Sequence, residues 1–211
     1  MKITTTEWND SQKHEAAYWK SQVWQGNKEQ YHRWGWYRNV CFPWWLPNRD
    51  FTGLDVIDVG SGPEGILHYI GSAGRKVAAD PLMAAYCNAG YRVDANGVEA
   101  VCIEGEKLSQ LGPERFDVAF CLNCLDHCRD PAKVLREIYK TLKQTGTIVL
   151  CVDMREPEDC DDLHKIRLDQ QWIRKTLAEC GFETETVALV PHQAPTRTVQ
   201  FCATCRKWWT P

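Results

Sequence analysis

A chain of 211 residues, 44% hydrophobic and 25% charged, has the make-up of one folded domain, long enough to bury a core without disulfide or metal staples. Its net charge of −3 supplies no general attraction to nucleic acid or to an anionic membrane, and no apolar run reaches the roughly 18 residues that cross a bilayer. The polar stretch Met1 to Asp10 lacks the apolar core of a secretory signal, and 11 scattered cysteines suit free thiols in a reducing cytoplasm.

The first 45 residues stand apart because Trp8, Trp19, Trp24, Trp34, Trp36, Trp44 and Trp45 all fall there. Residues 10 to 38 read as helical, and Pro43 and Pro47 end that region. Residues 1–50 are therefore expected to form an aromatic helical cap on a main domain of residues 51–211. Tyr18, Trp19, Trp34, Trp36 and Tyr37 offer flat faces to sugars, aromatic rings or cations, so they are candidates for a pocket roof. Packing within the cap is the plainer reading of the same residues.

From Leu54 onward short apolar runs alternate with amphipathic stretches. Leu54 to Val59, Lys76 to Ala79, Ala100 to Ile103, Phe116 to Leu122 and Thr147 to Val152 read as strands. Gly65 to Ala73, Leu82 to Ala89, Pro131 to Lys143 and Asp169 to Cys180 read as helices. Asp130-Pro131 gives the third of these an N-cap followed by proline at the first position, and Gly181 stops the fourth. Phe182 to Val190 and Thr198 to Ala203 read as a closing antiparallel hairpin. The alternation predicts an α/β fold: a doubly wound, mostly parallel sheet covered on both faces.

Between the first strand and the first helix lies Asp58-Val59-Gly60-Ser61-Gly62-Pro63-Glu64-Gly65. Gly60, Gly62 and Gly65 satisfy the dinucleotide pattern G-x-G-x-x-G, which lets backbone approach a ligand closely. Asp58 separates two readings of it. A pyrophosphate would meet a carboxylate badly, whereas a cationic ligand such as S-adenosylmethionine, with its sulfonium and ammonium, would be attracted. Asp80 ends the second strand, where a carboxylate can accept both ribose hydroxyls of an adenosine cofactor.

With these pieces stand Ala79-Asp80-Pro81-Leu82, Glu104-Gly105-Glu106-Lys107-Leu108, Phe116-Asp117-Val118-Ala119-Phe120, Leu122-Asn123-Cys124-Leu125-Asp126-His127 and Leu142-Lys143-Gln144-Thr145-Gly146-Thr147. In this order, from about Asp55 to Phe182, the chain resembles the type 11 family of class I S-adenosylmethionine-dependent methyltransferases. The resemblance implies a Rossmann-like fold with a seven-stranded sheet. It implies that Asp58, Gly60, Ser61, Gly62, Gly65, Asp80, Pro81 and Leu82 hold the cofactor, with plain core packing the other reading of Leu82. Gly105 and Glu106 would flank the adenine, and Leu122 and Asn123 would lie beneath the methionine moiety. Thr145 departs from the proline or glycine usual before Gly146.

His127 follows the fourth strand, where the methyl group would point, and is a candidate base or acceptor contact. His164 stands where the family often has a substrate-facing histidine, and Asp126 would orient His127 or cap a turn. Cys121, Cys124 and Cys128, or Cys202 and Cys205, lack a complete four-ligand spacing, so no metal is expected. Tyr139 and Lys143 match a reductase spacing without a serine partner. The expected activity is methylation of a small-molecule hydroxyl or amine, on a sugar or other metabolite, without nucleic acid or membrane. Against it stand a non-catalytic cofactor-binding or scaffold protein and an NAD-dependent oxidoreductase.

Overall fold

The computed structural model describes residues 2–22, 34–156, 164–191 and 198–208. Seven strands, β1 (Val56–Val59), β2 (Lys76–Asp80), β3 (Val98–Cys102), β4 (Phe116–Leu122), β5 (Leu142–Met154), β6 (Phe182–Pro191) and β7 (Val199–Lys207), form one sheet. Their order is β3-β2-β1-β4-β5-β7-β6. β7 runs antiparallel to both neighbours and the remaining pairs are parallel. The direction of winding reverses between β1 and β4, so their C-terminal ends open a crevice where ligands bind in such sheets.

Alternation along each strand divides the core between two faces. Phe116, Ala119 and Cys121 of β4 face a layer made by α3 (Pro131–Thr141) and α4 (Gln170–Glu179), with Val134, Leu135, Ile138, Ile173 and Leu177 buried. Val118, Phe120 and Leu122 face the other way, onto Trp19, Tyr37, Cys41, Phe42, Leu46 and Phe51. The N-terminal segment is thus a layer of the core, laid along one face of the sheet beside α2 (Met83–Ala89). Its first helix, α1 (Thr5–Gln22), begins with a reciprocal cap: Glu7 N–H donates to Thr4 Oγ1 (3.2 Å), and Thr4 N–H donates to Glu7 Oε2 (2.8 Å).

Three expectations need correction. The helix expected over Gly65–Ala73 is a single 3₁₀ turn, Ile66–Tyr69. Too little chain separates it from β2, and Gly74 N–H already bonds Leu54 O (2.8 Å) on the way back. Lys76 of β2 pins this turn by donating from Nζ to the carbonyls of Leu67, Ile70 and Asn96. The helix expected to reach Lys143 stops at Thr141, and β5 starts at Leu142 rather than Thr147. Its last carbonyls are taken by the N–H groups of Glu114 (3.0 Å to Lys140 O) and Arg115 (2.7 Å to Thr141 O), which turn the chain into the strand. The helical region expected over residues 10–38 starts earlier, at Thr5, and its residues 23–33, Trp24 among them, lie outside the described residues. The chain is helical again from Trp34 and passes into a π-helical turn, Tyr37–Cys41. Among the described residues no helix is long and apolar enough to cross a membrane.

Candidate active site

A cavity of about 330 Å³ opens at the C-terminal ends of β1, β2 and β4, between the sheet and the N-terminal layer. Its floor is the loop after β1. Gly60 and Gly62 adopt left-handed backbone (φ +66° and +64°), and a Cβ on Gly60 would stand 2.4 Å from Cys124 Cβ. Gly65 is fixed differently: its Cβ would lie 2.2 Å from Asp58 Oδ2. Gly60 and Gly65 are therefore required by close packing of the loop against Cys124 and Asp58, and Gly62 by its left-handed backbone.

Two strand-end carboxylates brace that loop. Asp58 is buried, and its Oδ2 accepts from Ile66 N–H (3.1 Å). Burial pushes its carboxyl up to about 7, against the Ile66 hydrogen bond and with a contribution from the charge of Asp80. Asp80, also buried, accepts from Gly62 N–H at Oδ2 (3.0 Å) and from Leu82 N–H at Oδ1 (2.8 Å). Burial raises it to about 6, opposed by those two bonds.

At the far side Asn123, in the left-handed region (φ +55°), donates its N–H to Cys151 O (2.8 Å) and carries the chain from β4 over the cavity. His127 and His164 meet there edge to face with ring centroids 4.5 Å apart. His127 Nδ1 lies 3.6 Å from Glu15 Oε2 and its Nε2 lies 4.0 Å from Asp126 Oδ2. His164 Nε2 is 2.9 Å from an Arg155 guanidinium nitrogen, and that same nitrogen donates to Asp153 Oδ2 (3.2 Å). Asp126 is only 1% exposed, with neither carboxylate oxygen hydrogen-bonded among the described residues; Arg155 Nε, 3.8 Å away, is the nearby cation.

The expected residues divide by position. Asp58, Gly60, Ser61, Gly62, Gly65, Asp80, Pro81, Gly105, Glu106, Leu122, Asn123, Tyr18, Trp19, Trp34, His127 and His164 all line the cavity. Leu82 and Trp36 do not. Leu82 packs on the sheet, and Trp36 turns away to donate from Nε1 to Gln200 Oε1 (2.6 Å). The Glu106 carboxylate points into the fold, where Oε1 accepts from Asp130 N–H (2.9 Å) ahead of α3. Sequence reasoning missed Trp8, Gln12, Glu15, Glu64, Tyr69 and Cys124, which also form the wall, while Tyr37, one of the roof candidates, does line it. Trp34 stacks on Tyr69 (6.0 Å, 9°), and Trp19 donates from Nε1 to Glu15 Oε1 (2.7 Å). Among the described residues no lysine or arginine lines this cavity, while five acidic residues do: Glu15, Asp58, Glu64, Asp80 and Glu106, the last with its carboxylate turned into the fold.

Comparisons with known proteins bear on the fold and the domain. Residues 57–150 match the family model described as a methyltransferase domain, of type 11. The ubiquinone biosynthesis O-methyltransferase of Pseudomonas entomophila is 30% identical over 121 residues, which is 54% of this chain and 51% of that protein. The chain spans about half the length of the curated relatives it matches. Among solved structures, the Burkholderia thailandensis 1,6-didemethyltoxoflavin-N1-methyltransferase, bound to 1,6-didemethyltoxoflavin and S-adenosylhomocysteine, superposes with a TM-score of 0.60. It is 18% identical over 90% of this chain and 82% of that one. The [4+2]-cyclase SpnF superposes with a TM-score of 0.59 at 18% identity, over 75% of this chain and 76% of its own.

Proposed function

Residues 57–150 of this chain being a type 11 domain of the class I S-adenosylmethionine-dependent methyltransferases, we propose that the protein methylates a hydroxyl or amine of a small molecule held between the cap and the His127–His164 pair. The observation that carries the reading is that the charged residues of the cavity wall, among the described residues and apart from the histidines, are all acidic, with Asp58 and Asp80 at the floor. A pyrophosphate would face the buried Asp58 carboxylate with no lysine or arginine on the wall among the described residues, which disfavours a nicotinamide dinucleotide. A ligand with an ammonium and a sulfonium fits it, and the closely packed glycine loop leaves its backbone accessible to that ligand.

Bound S-adenosylmethionine supplies an activated methyl group, transferred by in-line displacement. The residues of this chain provide alignment and the exclusion of water. Asp58, ionised, holds the ammonium end. Asp80 accepts from the ribose while its bond to Gly62 N–H keeps the loop in register. The aromatic walls at Trp8, Tyr18, Trp34 and Tyr37 exclude water and stack on the acceptor. His127, with a carboxylate facing each ring nitrogen, takes the acceptor's proton or touches its nucleophilic atom. Holding two reactants at attack distance lowers the barrier by roughly 7–11 kcal/mol, so positioning is the larger contribution.

A second reading, a cofactor-binding protein that does not methylate, draws support from the cyclase that shares this fold. Titration with S-adenosylhomocysteine and with NAD, followed by a metabolite screen scored for S-adenosylhomocysteine release, separates the readings. Binding with no release across hydroxyl and amine acceptors would favour the second, and binding of NAD in place of S-adenosylhomocysteine would overturn both.

A further inference from the structure

Behind the cavity, on the sheet face covered by the N-terminal layer, three cysteines far apart in sequence come together. Cys41 ends the π-helical turn, Cys151 lies on β5 and Cys202 on β7. Cys151 and Cys202 are directly paired across the antiparallel ladder with their sulfurs 3.6 Å apart. All three sulfurs lie within 4.8 Å of one another, and all three residues are 0% exposed. Gln200, two residues before Cys202 and on the same face, brings its Oε1 to 3.3 Å from Cys41 Sγ. Its Nε2 donates to Asp153 Oδ1 (2.9 Å), which fixes which amide atom faces the sulfurs.

We propose that Cys41, Cys151 and Cys202 bind a thiophilic d¹⁰ cation, Zn²⁺ in the first instance, with Gln200 Oε1 as the fourth donor. Tetrahedral zinc with Zn–S bonds of about 2.3 Å places sulfurs roughly 3.8 Å apart and a sulfur and an oxygen roughly 3.6 Å apart. The observed 3.6 Å and 3.3 Å need only small adjustment. Each Zn–S bond forms as the thiol proton leaves to solvent, and the bond from Cys41 to Gln200 gives way to the ion. Trp36 Nε1–H stays on the other lone pair of Gln200 Oε1 and offsets part of the charge that the thiolates bring.

The placement gives the ion a structural task. Tyr37 starts the turn that Cys41 ends and lines the cavity. Cys151 O accepts the Asn123 N–H on the cofactor side. An ion at the three sulfurs ties the cap wall and the end of β4 to one point. With the ligands fully buried, it enters as the chain folds, and the site does not depend on the methyltransferase reading.

The test uses the whole protein made in zinc-supplemented medium, without a histidine tag or chelator. Elemental analysis should find about one zinc per chain in wild type and in Cys128→Ser, which disturbs the competing Cys121–Cys124–Cys128 group. Cys41→Ser and Cys202→Ser should lose it. Should the serine variants fail to fold, Co²⁺ exchanged into wild type decides: a strong sulfur-to-cobalt charge-transfer band with tetrahedral ligand-field bands supports the site. Chelation of wild type should also lower its melting temperature. A zinc-free wild type that takes up neither Zn²⁺ nor Co²⁺ on refolding overturns the proposal. So does a Cys151–Cys202 disulfide seen by mass, or zinc that survives in Cys41→Ser and is lost in Cys128→Ser.

Discussion

The buried Asp58 makes the apo protein and the liganded protein respond to pH in opposite directions. Its carboxyl is raised from an ordinary 3.8 to about 7, chiefly because burial penalises the charge. A carboxyl raised in the folded state favours folding while protonated. That contribution is complete below the unfolded value and is lost as pH climbs towards 7. About 3 pH units at about 1.4 kcal/mol each bound the effect at about 4 kcal/mol. Binding runs the other way, since an ammonium needs the ionised form. At pH 5.5 roughly 3% of Asp58 is ionised, against roughly 90% at pH 8, so affinity for S-adenosylhomocysteine should fall about thirtyfold, about 2 kcal/mol.

Asp58→Asn isolates both effects, because the amide is neutral throughout. Apo melting curves from pH 5 to pH 8 should show the variant more stable than wild type at pH 8, with the gap closing towards pH 5. Calorimetric titration should show weak S-adenosylhomocysteine binding by the variant with no slope over this range. Asp80, raised to about 6, adds a smaller slope of the same sign, so the variant difference is the quantity to read. Apo curves that coincide at every pH would refute the burial penalty on Asp58, and wild-type affinity that stays flat between pH 5.5 and pH 8 would refute its assignment as the ammonium's partner.

Four further outcomes follow from the geometry. Asp80→Ala removes two charge-assisted bonds, to Gly62 and Leu82 N–H, each contributing about 1.5–3 kcal/mol, so calorimetry should show affinity for S-adenosylhomocysteine reduced at least about tenfold. Gly65→Ala drives a methyl to 2.2 Å from Asp58 Oδ2, and should abolish binding while far-ultraviolet circular dichroism stays native. His127→Ala should lower turnover by about 10²–10⁴ and leave cofactor affinity nearly unchanged; unchanged turnover would remove His127 from the reaction. Lys76→Met strands the carbonyls of Ile70 and Asn96 and leaves Leu67 O with Ile70 N–H alone, and should cost about 2–4 kcal/mol in urea unfolding.

The sheet was legible because parallel strands buried on both faces announce themselves as apolar runs: the range expected for β4, Phe116 to Leu122, is the range observed. Asp58 and Asp80 were legible because strand ends at a switch point are set by topology. Where long-range contacts decide, the reading failed. The N–H groups that end α3 belong to Glu114 and Arg115, which sequence spacing does not connect to Lys140 and Thr141. The three thiols on Cys41, Cys151 and Cys202 escaped for the same reason, since each comes from a different part of the chain and no short motif joins them.

The cap shows a different obstacle. Trp8, Gln12, Glu15 and Trp19 recur at helical spacing along one side of α1, and all four line the cavity. A search for apolar periodicity passes over such a stripe, because this cavity-lining face mixes rings with a carboxylate and an amide. Beyond it, choosing between Trp36 and Tyr37 requires the turn itself. A π-helical turn closes its hydrogen bonds five residues back rather than four, which shifts the facing of side chains relative to an α-helix. Phe42 N–H bonds Tyr37 O (2.8 Å) in this way, Tyr37 faces the cavity, and Trp36 faces Gln200. A 3.6-residue period has no means of expressing that rotation, so both rings were readable as roof candidates while the choice of Tyr37 over Trp36 was not.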